Sequence, residues 1–255
     1  MRILFLSKSP RNSVAYNVVA IEKLLNSYAS ADTSVEIGFP DNFSGSRVEA
    51  ALADQKMLNG LDHALETPAI IRKILWAADN GYDAVVQSNT FDPGVDGARL
   101  AAAIPVIGPL RTTMHTAAVL ADRIGIIVPL APHVPYTWRL LRTFGMDEHV
   151  ADIRPLTVYG KKLADRHDEI VSIAVGLIGE MVRDTGAQAI IPLGGAIIPY
   201  VVDPARLQEE SGVPVFNTKA ISIRFAEMCV RLGLTQSPLT YPRAELSYRD
   251  FVSEV

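Results

Sequence analysis

The sequence contains 255 residues, of which 49% are hydrophobic and 20% are charged, so the chain can bury the core of one large or two small domains. The net charge of −4 argues against a nucleic-acid partner, because such proteins present a basic surface. The apolar runs are broken well before the ~20 residues that a membrane helix needs, so we expect no membrane partner and a cytoplasmic location. The apolar stretch at residues 3–6 is too short for a signal peptide and predicts a buried strand.

Cys229 is the single cysteine of the sequence, which excludes an internal disulfide and a cysteine-cluster metal site. It lies in a segment whose apolar residues recur at helical spacing. We therefore predict a small buried side chain on a helix and not a reactive thiol.

Strand-like apolar runs alternate with helical patterns along the chain, and this alternation is typical of parallel βαβ units. The predicted strands lie near residues 2–7, 34–39, 83–88, 104–108, 123–128, 152–158, 187–193 and 213–217. Because ligands in parallel sheets bind beyond the carboxyl ends of the strands, we expect functional residues in the loops that follow them.

Three segments of the first half resemble three segments of the second half in the same order. The pairs are residues 2–14 with 123–134, 82–90 with 187–195, and 104–108 with 213–217. Such a repeat predicts two similar parallel-sheet α/β domains related by a pseudo-twofold, with the active site in the cleft between them. We assign residues 1–110 and 214–255 to the first domain and residues 111–213 to the second. The alternative is one open doubly wound sheet with a chance likeness.

The loop after the third predicted strand places three small polar residues, Ser88, Asn89 and Thr90, just before a predicted helix. Asp92 is a good N-cap and Pro93 suits the first helical position, so we expect the helix to begin there. Backbone N–H groups at a helix N-terminus favour a carboxylate ligand. The alternative is that the polar side chains merely cap and turn the chain.

The matching loop of the second half contains Gly194 and Gly195 directly after a predicted strand, followed by Ala196. Glycine lets a backbone approach a ligand closely, so we expect these three residues to contribute backbone contacts to the same anion.

Four motifs resemble those of the aspartate/glutamate/hydantoin racemase superfamily, which also contains arylmalonate decarboxylases and maleate isomerases. Asp92-Pro93-Gly94 resembles the motif that follows the first catalytic cysteine of hydantoin racemases, and Ser88-Asn89-Thr90 is similar to the Cys-Asn-Thr of glutamate racemases. The other two are Pro105-Val106-Ile107-Gly108 and Leu193-Gly194-Gly195-Ala196, which resembles the segment with the second cysteine. The order of the segments also resembles that of the superfamily, and this resemblance covers essentially the whole chain.

The resemblance implies that both catalytic cysteines are replaced, the first by Ser88 or Asn89 and the second by Gly195. Racemisation in the family needs one proton-transfer group on each face of the carbon, and a glycine has none. We therefore expect no racemisation of aspartate, glutamate or simple 5-substituted hydantoins. The resemblance implies a cofactor-independent enzyme that acts on a small carboxylate or cyclic amide without thiols, as an isomerase, a decarboxylase or other lyase, or a hydrolase. The alternative is a non-catalytic small-acid-binding protein or sensor.

His133 is the candidate general base, with an ordinary surface histidine as the alternative, and Ser88 and Asn89 complete the predicted catalytic set. Arg11 and Arg111 are candidates to bind a carboxylate. The predicted substrate-binding residues are Thr90, Arg11, Arg111, Tyr136, Gly194, Gly195, Ala196 and Lys8, and Lys219 is a further titratable candidate.

The remaining histidines have no metal-ligand spacing, so we expect no metal. They are His63, His115, His149 and His167. The sequence contains neither a GxGxxG loop after the first strand nor a Walker A loop, so we expect no nucleotide cofactor. A small-molecule carboxylate or cyclic amide is the expected partner, and the resemblance implies a homo-oligomer.

Overall fold

The computed structural model describes residues 1–11, 16–41, 46–160, 162–245, 248 and 250. The chain forms two compact units. The first comprises Met1–Arg47, Asp62–Pro109 and Ser222–Val255, and the second comprises Val48–Leu61 and Leu110–Ile221. Residues 48–61, 110 and 214–221, which the sequence assigns to the first domain, belong to the second unit.

The first unit contains a four-stranded parallel sheet. Its strands are β1 (Arg2–Leu6), β2 (Ser34–Gly38), β3 (Ala84–Gln87) and β4 (Val106–Ile107), in the order β2-β1-β3-β4. The helices that contribute to this unit are α1 (Val18–Tyr28), α3 (Leu61–Asp79), α4 (Val95–Arg99) and most of α9 (Thr218–Arg231). All four residues of β3 are buried, as expected for a strand covered on both faces.

The second unit contains a three-stranded parallel sheet. Its strands are β5 (Ile124–Val128), β6 (Val150–Pro155) and β7 (Ala189–Pro192), in the order β6-β5-β7. The helices are most of α2 (Ser46–Asp54), α5 (Pro109–Ala118), α6 (His133–Phe144), α7 (His167–Thr185) and α8 (Pro204–Ser211).

The two sheets share one strand order once a single bridge is counted. The segment predicted as a strand at residues 213–217 makes one parallel bridge, between Val215 and Ile190 of β7. With that bridge, the order in the second sheet is β6, β5, β7 and the segment at Val215, which matches β2, β1, β3 and β4 of the first sheet. An α/β fold with two parallel sheets of the same order is what the internal repeat predicts.

Each sheet is covered by its own apolar cluster. In the first unit, Leu4 and Val85 pack with Ile70 and Ile74 of α3. In the second unit, Ile127 and Ile190 pack with α7 residues such as Ile178, and Ile197 and Ile198 join this core. These two isoleucines are 1% exposed, so this part of the loop after β7 packs into the core of the second unit.

The predicted N-cap at Asp92 is wrong. Helix α4 begins at Val95, its N-cap is Gly94 with a φ of 75°, and the helix is five residues long. Asp92 itself has a φ of 54°, whereas a capping residue needs an extended conformation. The turn through Pro93 therefore separates the polar loop from the helix, which removes the helix N-terminus as the reason for anion binding there.

Within the ranges that the structure describes, no helix is both long enough and apolar enough to cross a lipid bilayer.

Candidate functional site

The loop that follows β3 is held in place by its own side chains. The backbone N–H of Ser88 donates to the carbonyl of Leu6 at 2.8 Å, which extends the strand pairing by one residue. The N–H of Asn89 donates to Oε1 of the buried Gln87 at 3.1 Å, and Asn89 Oδ1 accepts from the N–H of Phe91 at 2.9 Å. The carboxamide of Asn89 therefore has a fixed orientation, with its oxygen toward Phe91 and its nitrogen on the other side.

That nitrogen contacts a group of ionisable residues, three buried and one half-buried, which we call the Lys8 cluster. It consists of Lys8, Asp62, His63 and Glu66. Asn89 Nδ2 lies 3.0 Å from Nε2 of His63, and the same Nε2 lies 3.3 Å from Oδ2 of Asp62. Asp62, His63 and Glu66 are 0%, 4% and 0% exposed. Helical spacing explains the grouping, because residues 62, 63 and 66 share one face of α3.

Lys8 provides the cation of this cluster. Its Nζ lies 3.3 Å from Asp62 Oδ2 and 3.2 Å from Glu66 Oε1. Two buried carboxylates next to one ammonium are costly to desolvate unless they are paired, and such groups concentrate at functional sites.

A metal ion is the other cation that this cluster could hold. Asp62, His63 and Glu66 each offer a ligand atom, and these atoms lie within 4.8 Å of one another. The ammonium of Lys8, however, already bridges the two carboxylates. We therefore describe the cluster as an ion-pair network with an adjacent histidine.

Gly108 of the Pro-Val-Ile-Gly motif is explained by Asp92. A Cβ added at Gly108 would lie 2.5 Å from Cγ of Asp92, so the carboxyl group of Asp92 packs over a position where no side chain fits. The conformation of the loop thus depends on a glycine after the neighbouring strand β4.

The loop that follows β7 contains two glycines, and a side chain is excluded at each of them for a different structural reason. Gly194 has a φ of +87°, and a Cβ there would collide with the ring of Pro129. Gly195 is buried, and a Cβ there would lie 2.6 Å from Nζ of Lys219 and also against its Cε. The first glycine therefore allows close packing of two loops, and the second leaves space for a lysine.

Lys219 enters this space from the start of α9. Asn217 Oδ1 accepts from the N–H groups of Lys219 and Ala220, both at 3.1 Å, so that Asn217 caps the helix. The side chain of Lys219 is 0% exposed, and its Nζ lies 6.0 Å from the centre of the Tyr200 ring. A buried lysine next to a glycine-containing loop is able to donate a proton, accept one or act as a nucleophile.

His133 is a buried residue of the second unit and not a surface-loop histidine. It is the first residue of α6 and is 4% exposed. The N–H of Leu130 donates to its Nδ1 at 3.3 Å, which leaves Nε2 as the protonated nitrogen of the neutral ring.

The predicted arginines each pack on an aromatic ring of their own unit. Arg11 lies 5.3 Å from the ring centre of Phe39, and Arg111 lies 5.4 Å from that of Phe144. Tyr136 is a half-buried residue of α6, and its ring lies where a Cβ of Gly60 would be.

The structure distributes the predicted site residues over both units. Lys8, Arg11, Ser88, Asn89 and Thr90 lie in the first unit. The predicted residues in the second unit are Arg111, His133, Tyr136, Gly194, Gly195 and Ala196. Within the first unit, Asn89 and Lys8 meet the same cluster, and within the second, Gly195 meets Lys219.

Sequence reasoning missed Asp62, His63 and Glu66, and it did not place Lys219 beside Gly195. The signal for the first three was available, because two acids at i and i+4 flank a histidine on a predicted helix face. The position of Lys219 depends on a tertiary contact between residues 24 positions apart, which leaves no local pattern. Cys229 is a buried free thiol on α9, as predicted, and burial raises its pKa although Arg99 opposes this effect.

Comparison with known proteins agrees with this architecture. The sequence model of the Asp/Glu/Hydantoin racemase family matches residues 22–226. The hydantoin racemase of Pseudomonas sp. (strain NS671) is 31% identical over 192 residues, which cover 72% of this chain and 73% of that protein. The hydantoin racemase of Rhizobium meliloti is 28% identical over 187 residues, which cover 72% and 76%.

Solved structures show the same fold. The allantoin racemase of Pseudomonas fluorescens superposes with a TM-score of 0.81 at 21% identity, covering 97% of this chain and 98% of that one. Arylmalonate decarboxylase superposes with a TM-score of 0.53 at 14% identity, covering 90% and 92%. Since the family model matches most of the sequence and the fold agrees, the chain belongs to the Asp/Glu/hydantoin racemase family.

Proposed function

We propose that this protein is an enzyme that transfers a proton at a carbon next to a carbonyl group, in a small carboxylate or cyclic amide, without thiols and without a cofactor. Isomerisation and decarboxylation are both reactions of this kind, because each forms a carbanion or enolate that must then take up a proton. The one cysteine of the sequence is buried in α9, so the proposal assigns proton transfer to other side chains.

The observation that carries this proposal is the position of Lys219. The family resemblance assigns the second catalytic thiol to position 195, where this chain has glycine. The Nζ of Lys219 lies 2.6 Å from the place that a Cβ of residue 195 would take. Lys219 thus brings an ionisable amine to a loop whose own residue has no proton to give.

The relatives support the proposed substrate class. The names of the sequence relatives and of the allantoin racemases point to hydantoin-type rings as the first compounds to test. Arylmalonate decarboxylase adds arylmalonates. The loop of Gly194 and Gly195, next to Lys219, offers neutral backbone hydrogen-bond donors, which suit the carbonyl groups of both classes.

One proton-transfer amine supports exchange or decarboxylation but does not by itself racemise. We therefore expect deuterium from the solvent at the reacting carbon with retention of optical activity, or decarboxylation of an arylmalonate to a deuterated product. The experiment incubates the protein in D2O with allantoin, 5-substituted hydantoins and arylmalonates, and follows the carbon-bound proton by NMR and the optical rotation in parallel.

Lys219→Met is the diagnostic variant and Lys23→Met, at an exposed position of α1, is its matched control. Removal of a general acid or base lowers turnover by about 10²- to 10⁴-fold, and the control has no reason to do so. Binding of these compounds without exchange or decarboxylation would favour a sensor, and turnover that survives Lys219→Met would refute the role of the lysine.

A further inference from the structure

The hydrogen bonds of Asn89 favour one tautomer of a neutral His63. Asn89 Oδ1 accepts from the N–H of Phe91, so the NH2 group of Asn89 faces Nε2 of His63 at 3.0 Å and can donate one N–H to it. The opposite orientation of the carboxamide would place an NH2 group against the N–H of Phe91. Nε2 must therefore accept, and the proton of the neutral ring belongs on Nδ1.

A protonated ring has a different partner at the same nitrogen. Nε2 of His63 lies 3.3 Å from Oδ2 of Asp62, and a proton on Nε2 would join these two atoms in a charge-assisted hydrogen bond. The same proton would point at the NH2 group of Asn89, which is a donor. The carboxamide would then have to rotate, which breaks its bond to the N–H of Phe91.

The charges around His63 make this competition close. Asp62 and Glu66 flank it on α3, and Lys8 approaches from the end of β1 with its Nζ 3.3 Å and 3.2 Å from the two carboxylates. With a neutral His63, the cluster has two buried carboxylates and one ammonium. The carboxylate of Asp62 favours a proton on Nε2 of His63, and the NH2 group of Asn89 opposes it.

We propose that His63 is a positioning residue whose protonation state sets the orientation of the Asn89 carboxamide. When the ring is neutral, Nε2 of His63 accepts from the NH2 group of Asn89, and Asn89 Oδ1 keeps its hydrogen bond from the N–H of Phe91. When the ring is protonated, Nε2 donates to Asp62, and the hydrogen bond between Asn89 and Phe91 breaks. The importance of this change for turnover rests on the proposed function and on the membership of Asn89 in the catalytic set predicted from the sequence.

The direct test is the tautomer of His63 in the full-length protein, read from two-bond 1H–15N correlations with labelled histidine. Neutral His63 should carry its proton on Nδ1. In Asn89→Leu, which removes the donor to Nε2, the population should shift toward Nε2–H because Asp62 still attracts that proton. A neutral His63 with its proton on Nε2 in the parent protein would overturn the proposal, whether or not any substrate is turned over.

The second test is the pH profile of kcat/KM on whichever panel compound reacts. His63→Gln keeps an acceptor for Asn89 but does not titrate in this range, and His63→Leu removes the acceptor. The glutamine variant should lack the acid limb of the profile and retain about tenfold more activity than the leucine variant. Asp62→Asn should shift the limb to lower pH, because the carboxylate that stabilises the protonated ring is gone. An acid limb that is the same in the parent and His63→Gln would contradict the proposal.

Discussion

The loops after β3 and after β7 occupy equivalent places in two sheets of the same order, yet they are built in different ways. The first presents a side chain, Asn89, that is oriented by a backbone N–H and contacts the Lys8 cluster. The second presents a glycine, Gly195, and the ionisable group beside it comes from Lys219 on a distant segment. One loop therefore carries its polar group itself, and the other makes room for one.

This difference shows how a loop without an ionisable side chain of its own can have an ionisable group beside it. A glycine in a sequence comparison indicates an empty position, but in the folded chain the position is occupied by the end of a lysine that is 0% exposed. We accordingly expect the largest loss of stability from a mutation in the cluster beside the first loop, and a loss of activity from a mutation in the second loop.

The largest effect on stability is expected for Lys8→Met. This change leaves Asp62 and Glu66, both 0% exposed, without the ammonium that lies next to each of them. Breaking a buried ion pair by removing one partner costs about 3 kcal/mol, which urea unfolding can measure. Lys23→Met on the exposed face of α1 is the control. A loss below about 1 kcal/mol for Lys8→Met would mean that the cluster is not held by this ion pair.

Gly195→Ala tests the second loop without replacing Lys219 itself. The added Cβ would lie 2.6 Å from Nζ of Lys219 and must displace the amine. We expect kcat to fall about tenfold, which corresponds to about 1.4 kcal/mol in the barrier. Gly176→Ala on α7, where an added Cβ meets nothing within 4 Å, should leave kcat as it is. Equal activity of the two alanine variants would show that the amine does not need its present position.

The smallest effect is expected for Glu227→Gln, which affects a buried carboxylate of α9 that contacts Ser30 and Arg224. Burial opposes the ionisation of Glu227, but hydrogen bonds from the backbone and hydroxyl of Ser30, together with Arg224, outweigh it and hold its pKa below the usual range. The ionised carboxyl group therefore stabilises the folded state above the pKa of an ordinary glutamate (about 4.3), and this contribution disappears as the pH falls through the lowered folded-state pKa.

The measurement is urea unfolding of the parent and Glu227→Gln at neutral and at acidic pH. We expect a difference of about 1 kcal/mol at neutral pH that shrinks on acidification, with no change in the pH profile of turnover. A difference that grows on acidification would mean that the carboxyl group is destabilised by folding.

The strands could be predicted from the sequence because their signal is local. Seven of the predicted strands, starting with β1 near residues 2–7, appear within a few residues of their expected bounds. The eighth predicted strand, at residues 213–217, is reduced to the single bridge of Val215 with Ile190. The helix start at Pro93 was predicted wrongly because Asp92 packs over Gly108 from another loop, and that contact overrides its capping preference.

The site could be predicted only where its residues are adjacent in sequence. Ser88, Asn89 and the Gly194–Gly195 pair were found from their positions after predicted strands. The partners that give these residues a chemical role, His63 for Asn89 and Lys219 for Gly195, come from helices packed against the loops. Such pairings are decided by tertiary packing, which a single sequence does not record.

The central claim is that the amine of Lys219 performs the proton transfer that position 195 itself cannot. The most direct measurement is the rate of solvent-deuterium exchange at the reacting carbon of an active panel compound for Lys219→Ala, with and without added methylamine. The claim predicts a loss of at least about 100-fold that methylamine restores in proportion to its concentration, because the small amine can fill the space left by the side chain. Exchange at the parental rate in Lys219→Ala without methylamine would contradict it.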